Sequence, residues 1–327
     1  MSAEKNFEEK LETWRKEAKH GDVVSGRGVD VAGGPIPKHV GYYGEGVVRP
    51  PVWTWEIPLY FFVGGAAGMA PLLACAGLLF DYADLTRTAL WITAAGAIIS
   101  PLLLIMDLGR PSMFLNMLRI FKYQSPMSVG AWILSMFGTC AVPACIAYEL
   151  HFNHFFTGGL DLFLSSAAIV LTIGAAFWGL GLATYTGVLI GATVVPAWFL
   201  HRVLLPIHFG TAGLGSAVAL LTLGGLHLRP LFLLFMLTAL IETLLWIWLE
   251  IDKHGAADRA LHAGRSGWLI RAGEFLCGPL PLVFGLTNLL PWAALSFLLG
   301  ALLSRFGWIS AGRASGKDPE AVFASQA

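Results

Sequence analysis

The feature that most constrains this chain is a succession of apolar runs, each long enough to cross a lipid layer. A hydrocarbon core of about 30 Å needs roughly 20 apolar residues in a helix. Such runs fall at 55–80, 89–106, 127–149, 162–185, 204–224, 230–251, 270–289 and 291–308. Lipid offers no hydrogen bonds to a backbone, so these runs must be helices that satisfy their own. The expected fold is an all-α integral membrane protein with eight transmembrane helices. Composition agrees: 56% of the 327 residues are hydrophobic and 13% charged, about half the charge of an ordinary soluble domain.

The spans divide the chain into a soluble N-terminal tail over 1–52, a membrane domain over 53–310 and a C-terminal tail over 311–327. The first tail holds eight acidic and eight basic residues and no apolar core, so it is not a signal peptide. Glu8–Lys19 carries Leu11 and Trp14 on one side, the pattern of a short amphipathic helix. The Gly/Pro-rich remainder needs a partner surface to be ordered. Pro279, Pro281 and Pro291 break up the last two spans, and residues 186–203 read either as an extension of the fourth span or as a re-entrant loop. Gly64 and Gly68 have the four-residue spacing that lets membrane helices approach closely. Gly65, Ala67, Gly68 and Ala74 match Gly210, Ala212, Gly213 and Ala219 in the fifth span, which points to a duplicated unit and two four-helix bundles.

With eight spans both termini lie on one side. Nineteen of the 21 lysines and arginines then fall on that side, Arg305, Arg313 and Lys317 among them, against Arg87 and Arg229 opposite. Basic loops stay in the cytoplasm, so both termini are expected there, in a bacterial or archaeal cytoplasmic membrane. A basic face for docking a partner would give the same asymmetry.

Several chemistries lack their residues. Cys75, Cys140, Cys145 and Cys277 fall inside spans without iron–sulfur or zinc spacing. Only His208 of nine histidines lies well inside a span, so a haem held by two facing histidines is not supported, and no phosphate-cradling loop occurs. Electrons for any redox role must arrive from another subunit.

Three stretches carry a resemblance: "PPVWTWEIPLYFFVGGAAGMAPLL", "DLGRPSMFLNMLRIFKYQSPMSVGAWIL" and "YTGVLIGATVVPAW", in that order. Together they resemble the NrfD/PsrC family, the membrane subunits of polysulfide reductase and related complexes, over about residues 50–310. The resemblance implies an eight-helix subunit without haem or iron–sulfur cluster. Such a subunit binds a quinone, menaquinone or ubiquinone, near the face carrying an iron–sulfur protein. That partner is usually joined to a large molybdenum- or tungsten-containing catalytic subunit. Membrane lipids are the other expected contacts; nucleic acid is not.

A quinone site needs donors for the carbonyl oxygens, a proton route and an apolar slot. Glu56 and Tyr60, at i and i+4 in the first turns of span one, share a face: the carboxylate can pass a proton and the phenol can hold a quinone oxygen. Some family members carry Asn and His there. An interfacial aromatic belt with a solvated helix-start acid is the structural alternative. The family also implies a quinone contact for Tyr185. Glu242, in the middle of span six, would cost roughly 2.5–3.5 kcal/mol if charged, so it is neutral, paired or in a wet cavity, and is the second candidate catalytic acid beside Glu56. His208 reads as a satisfied packing histidine.

The loop between spans two and three is bounded by Gly109 and Pro111, a C-terminal stop, and by Ser125 and Pro126, an N-cap and first-turn pair. Asp107, in the last turn of span two, is on the wrong end of a helix dipole and is expected to pair with Arg110 or Arg119. Asp107, Arg110, Arg119 and Lys122 are the candidate partner-docking residues. The functional expectation is a quinone-reactive membrane subunit that exchanges electrons with an iron–sulfur protein and takes up or releases protons. A secondary transporter or proton channel and a purely structural anchor are the alternatives.

Overall fold

The computed structural model describes residues 48, 50–51, 53–108, 111–253 and 255–325. The expected amphipathic helix at Glu8–Lys19 and the tail around it, Gly109 and Arg110 lie outside the described residues. Eight helices are long and apolar enough to cross a membrane, in an all-helical fold. They are α1 (Glu56–Leu79), α2 (Ala83–Asp107), α3 (Pro126–Phe152), α4 (Gly159–Gly191), α6 (Leu204–Leu223), α7 (Arg229–Ile251), the pair α9 (Gly264–Cys277) and α10 (Pro279–Leu286), and α11 (Leu290–Lys317). Short α5 (Pro196–Leu200), α8 (Arg259–His262) and α12 (Pro319–Ala324) lie between or after them, and a 3₁₀ helix spans Pro111–Leu118.

Most spans run past the ends of their apolar runs. Residues 186–203 split between the two readings: α4 continues to Gly191, and α5 then makes one turn before α6. The seventh span breaks at Gly278, where Pro279 starts a new helix because it cannot donate to the preceding turn. α11 reaches Lys317 rather than ending near 308. Arg305 is therefore not an end-of-span cation but a residue deep inside α11, 1% exposed. Two buried acids nearby offset its charge, so the charge sorting that placed it in water does not apply.

α1 to α4 pack on one another, and so do α6, α7, α9, α10 and α11; α6 joins the two groups by packing on α1 and α4, and α11 also reaches α1. The joins depend on absent side chains. The backbones of Gly68 and Gly179 approach so closely that a Cβ on either would overlap the other, and Gly65 lies against Gly213, the match of Gly68 in the proposed repeat. Gly64 has ordinary room, so the close approach belongs to Gly68 and Gly65. The outward face of α7 is the stripe Leu233, Leu237, Leu240, Leu244 and Ile247, all exposed. At helical spacing such a stripe faces lipid, while Phe235, Thr238 and Glu242 face inward. Pro50 lies against Gly316, so both ends of the described chain meet at one face, here the terminal face. On the far face Arg87 and Glu149 pair, Nε to Oε1 at 2.7 Å, joining α2 to α3.

Candidate functional site

α1 starts abruptly at Glu56 after two prolines and a tryptophan pair, and this brings Trp53 and Thr54 in over the ends of α2 and α5. Trp53 stacks on Trp198 with centroids 5.6 Å apart and meets Phe61 edge-on at 6.1 Å. Thr54 reaches Asp107, at the end of α2: its backbone N–H donates to Asp107 Oδ1 at 3.3 Å and its Oγ1 lies 2.8 Å from the same oxygen. Thr54 Oγ1 is also in hydrogen-bond contact with Glu56 Oε2. One hydroxyl thus joins two carboxylates. It can accept from one while donating to the other, which is the geometry of a proton relay.

Asp107 in turn lines a pocket of about 90 Å³ at the terminal face, with Trp53, Tyr60, Phe61, Met117, Met127 and Tyr185 among its walls. Tyr60 and Tyr185 are 4% and 7% exposed. The Tyr185 hydroxyl donates to the Pro126 carbonyl at the start of α3. That carbonyl is fixed because Ser125 caps α3, its side chain accepting from the Ser128 N–H, with Pro126 in the first turn. Gly130 gives Tyr185 its place: a Cβ there would overlap the phenol ring. The 3₁₀ helix contributes Met117, so the connection between α2 and α3 is a wall of the pocket as well as a surface loop.

The structure thus brings Tyr60, Tyr185 and Asp107 to one pocket, with Glu56 behind Asp107 through Thr54. Glu56 is 3% exposed, not a solvated helix-start acid. Asp107 finds Thr54 rather than Arg119. Arg119 and Lys122 are exposed and make no ion pair among the described residues, and the Arg313 guanidinium feels the charge of Asp107. Thr54 was missed in the sequence because a hydroxyl before a helix reads as punctuation; only the fold shows it lying between two acids.

Glu242 lies elsewhere. On the inward face of α7, wholly buried, its Oε2 is 2.6 Å from His208 Nδ1 of α6. His208 Nε2 is 2.8 Å from Ser304 Oγ and 3.4 Å from Glu274 Oε1, and the Ser304 hydroxyl donates to Glu274 at 2.9 Å. Arg305 closes the group, its Nη2 donating to the Phe209 carbonyl at 3.1 Å and its guanidinium lying over the Phe209 ring at 3.7 Å. The ligand atoms of His208, Glu242 and Glu274 lie within 4.8 Å of one another, close enough for a cation. A guanidinium already supplies positive charge there, so the group is a hydrogen-bonded charge network. His208 is satisfied at both nitrogens, yet by titrating partners rather than by packing alone. Glu274 and Arg305 were overlooked although each interrupts an apolar run, the signal that had singled out Glu242.

Fold and pocket together define a multi-pass helical membrane protein with a pocket at one face that is apolar on its walls and polar at its ends. Residues 46–229 match the model of the family described as polysulphide reductase, NrfD. The match takes in more than half of the chain, and the chain belongs to that family. Its members are membrane subunits of quinone-linked oxidoreductase complexes, interact with quinone, and typically pair with iron–sulfur and molybdenum-containing subunits. A search of the curated proteins finds no match to the chain. Every residue lining the pocket falls within the matched region, whereas Glu242, Glu274, Ser304 and Arg305 lie beyond it.

Proposed function

We propose that this chain passes electrons between an iron–sulfur partner protein and membrane quinone, menaquinone or ubiquinone, at the pocket lined by Tyr60, Tyr185 and Asp107. The observation that carries the reading is the convergence of two phenols and one carboxylate on a single apolar pocket. The walls suit the flat ring, and Trp53 and Phe61 give it aromatic contact. A phenol can donate to a quinone carbonyl oxygen, and turning the Tyr185 hydroxyl from the Pro126 carbonyl to a ligand needs only a rotation of its O–H.

Quinone reduction takes two electrons and two protons, and quinol oxidation returns them. Asp107 is the group placed to exchange a proton at the pocket, and Thr54 and Glu56 extend it away from the ring. The electrons come from or go to a cluster in the partner subunit, itself joined to a molybdenum- or tungsten-containing catalytic subunit. Arg119 and Lys122, exposed beside the pocket wall, and Arg110 form the docking surface for that partner. The basic terminal face supports a cytoplasmic location for the termini and the partners; protease added outside sealed cells should leave the N-terminal tail intact.

The test is binding of a hydroxyquinoline-N-oxide quinone analogue, followed by tryptophan quenching in the purified complex. Wild type should bind it and Tyr185→Phe should bind about tenfold more weakly, the loss of one hydrogen bond of about 1.4 kcal/mol. Equal affinity in Tyr185→Phe and in Tyr60→Phe would remove the pocket from the reaction.

A further inference from the structure

The charge network in the second group of helices has no part in the quinone pocket, and its position calls for a role. Glu242, Glu274 and Arg305 are 0%, 3% and 1% exposed, at the depth where ionisable groups are costly. Arg305 carries its positive charge permanently. A buried group stays near neutral overall, so beside Arg305 the two carboxyls and His208 must share one proton among them. Ser304 Oγ joins His208 to Glu274, and His208 joins both to Glu242. The shared proton can move between three sites without leaving the network.

Approaches exist from both faces. Toward the terminal face, the Trp308 ring lies between His208 and His201, 6.4 and 5.7 Å from them. His201 Nδ1 is 3.8 Å from Asp258, a buried acid in the connection after α7. Toward the far face, Thr238 is one turn above Glu242 and buried, and Phe235 follows at the floor of an open vestibule of about 220 Å³ lined by Thr222, His227 and Arg229. Phe235 and Phe297, with ring centroids 5.4 Å apart, separate vestibule from network. Among the described residues, five buried polar atoms at the network find no hydrogen-bond partner: Glu242 Oε1, Glu274 Oε2, Arg305 Nε and Nη1, and Trp308 Nε1. Such atoms are the partners internal water takes.

We propose that His208, Glu242, Glu274 and Arg305 form a proton-loading site, and that the chain moves a proton across the membrane through it while quinone reacts in the pocket. The proton enters from water at the terminal face by way of Asp258 and His201, is held by the carboxyl–imidazole network, and leaves past Phe235 into the vestibule. No bond other than those to the proton changes. The groups facing the site are His208 from α6, Glu242 from α7, Glu274 and Cys277 from α9, and Arg305 from α11. A physical link to the pocket exists: Phe61, a pocket wall, packs on Phe209 at 5.9 Å, and Phe209 lies under the Arg305 guanidinium. A ligand that shifts Phe61 alters the contacts of the one fixed charge in the network. The driving force rests on the quinone reading above.

The test is proton movement per quinol turned over by the whole complex in sealed proteoliposomes, with pH-sensitive dyes inside and outside. Wild type should move protons beyond those released or taken up by the quinone itself. Glu274→Gln should lose that excess while binding the quinone analogue within about twofold of wild type, because Glu274 does not touch the pocket. Ser304→Ala, which keeps every charge and removes only the hydroxyl link, should lower the same ratio, and it serves where Glu274→Gln fails to assemble. No excess in wild type, or an unchanged excess in a variant that assembles, overturns the proposal. Failure of wild type to bind the analogue would instead overturn the quinone reading and with it the driving force assigned here.

Discussion

Thr54→Val isolates the relay. Valine keeps the size and branching of threonine and the backbone N–H that donates to Asp107 Oδ1 at 3.3 Å, and deletes the hydroxyl between Glu56 and Asp107. Glu56, at 3% exposed, then keeps its buried carboxyl without that contact. Leaving a buried polar group unpartnered costs about 1–3 kcal/mol, and taking about 2 kcal/mol as the cost in the proton step gives roughly a 30-fold slower turnover at about 1.4 kcal/mol per factor of ten. That lies below the 10²–10⁴-fold range of a deleted acid or base, as befits a group that relays rather than supplies the proton. The assay is steady-state quinol turnover by the whole complex in ordinary and heavy water. Thr54→Val should lower kcat, leave KM within about threefold and enlarge the solvent isotope effect, while Thr54→Ser restores the rate. An unchanged kcat, or a rise in KM alone, would refute the relay.

Gly130→Ala should push the Tyr185 ring out of the pocket, since the added Cβ overlaps it; overpacking of about 1–3 kcal/mol weakens analogue binding by roughly 5- to 150-fold, whereas Gly138→Ala on the same helix, where a Cβ meets nothing within 4 Å, should bind like wild type. His262, in α8 outside the spans, has its imidazole held below the ordinary value of 6.5 by burial, against the opposing pull of Glu250. Its contribution to stability is present above 6.5 and is lost as pH falls through the lower folded value. Amide protection factors, exchange rates divided into their intrinsic values, should therefore fall over residues 259–267 between pH 7.5 and 5, and His262→Gln should flatten that dependence.

The spans were legible because lipid demands length and apolarity, two properties a linear reading measures well. The α3 start was legible too, since Ser125 and Pro126 act through local geometry that sequence order dictates. Tyr60 and Tyr185 could be named singly, but their meeting depends on Gly130 and on the packing of α1 against α4, which no spacing along one helix encodes. Asp107 shows the limit most sharply. Its wrong-signed place at a helix end was visible and a cation was the expected remedy, yet among the described residues the fold brings it a threonine 53 positions earlier rather than Arg119. In the seventh and eighth spans Glu274 was not singled out and Arg305 was grouped with the terminal cations, because nothing along either run shows that α9 and α11 bring Glu274 to Ser304 beside Arg305.

The two sites make different demands on the chain. The pocket is built from the residues before α1 and from α1 to α4 with the connection after α2, so quinone chemistry alone gives no reason for charge inside the second group of helices. Insertion of Glu242, Glu274 and Arg305 costs about 2.5–3.5 kcal/mol each when charged, and well-packed apolar residues in place of buried ion pairs are often neutral or stabilising. A second bundle that only braced the first would be at least as stable without them. Its inward positions are otherwise filled mostly by alanine, leucine and phenylalanine, with uncharged Ser216, Thr238 and Ser296 among them, which are ample for bracing. The charges are confined to one level, joined by a serine hydroxyl and approached from both faces. They lie one phenylalanine pair away from the pocket through Phe61 and Phe209. An arrangement this localised is what the proposed proton-loading site requires, and packing alone gives no reason for it.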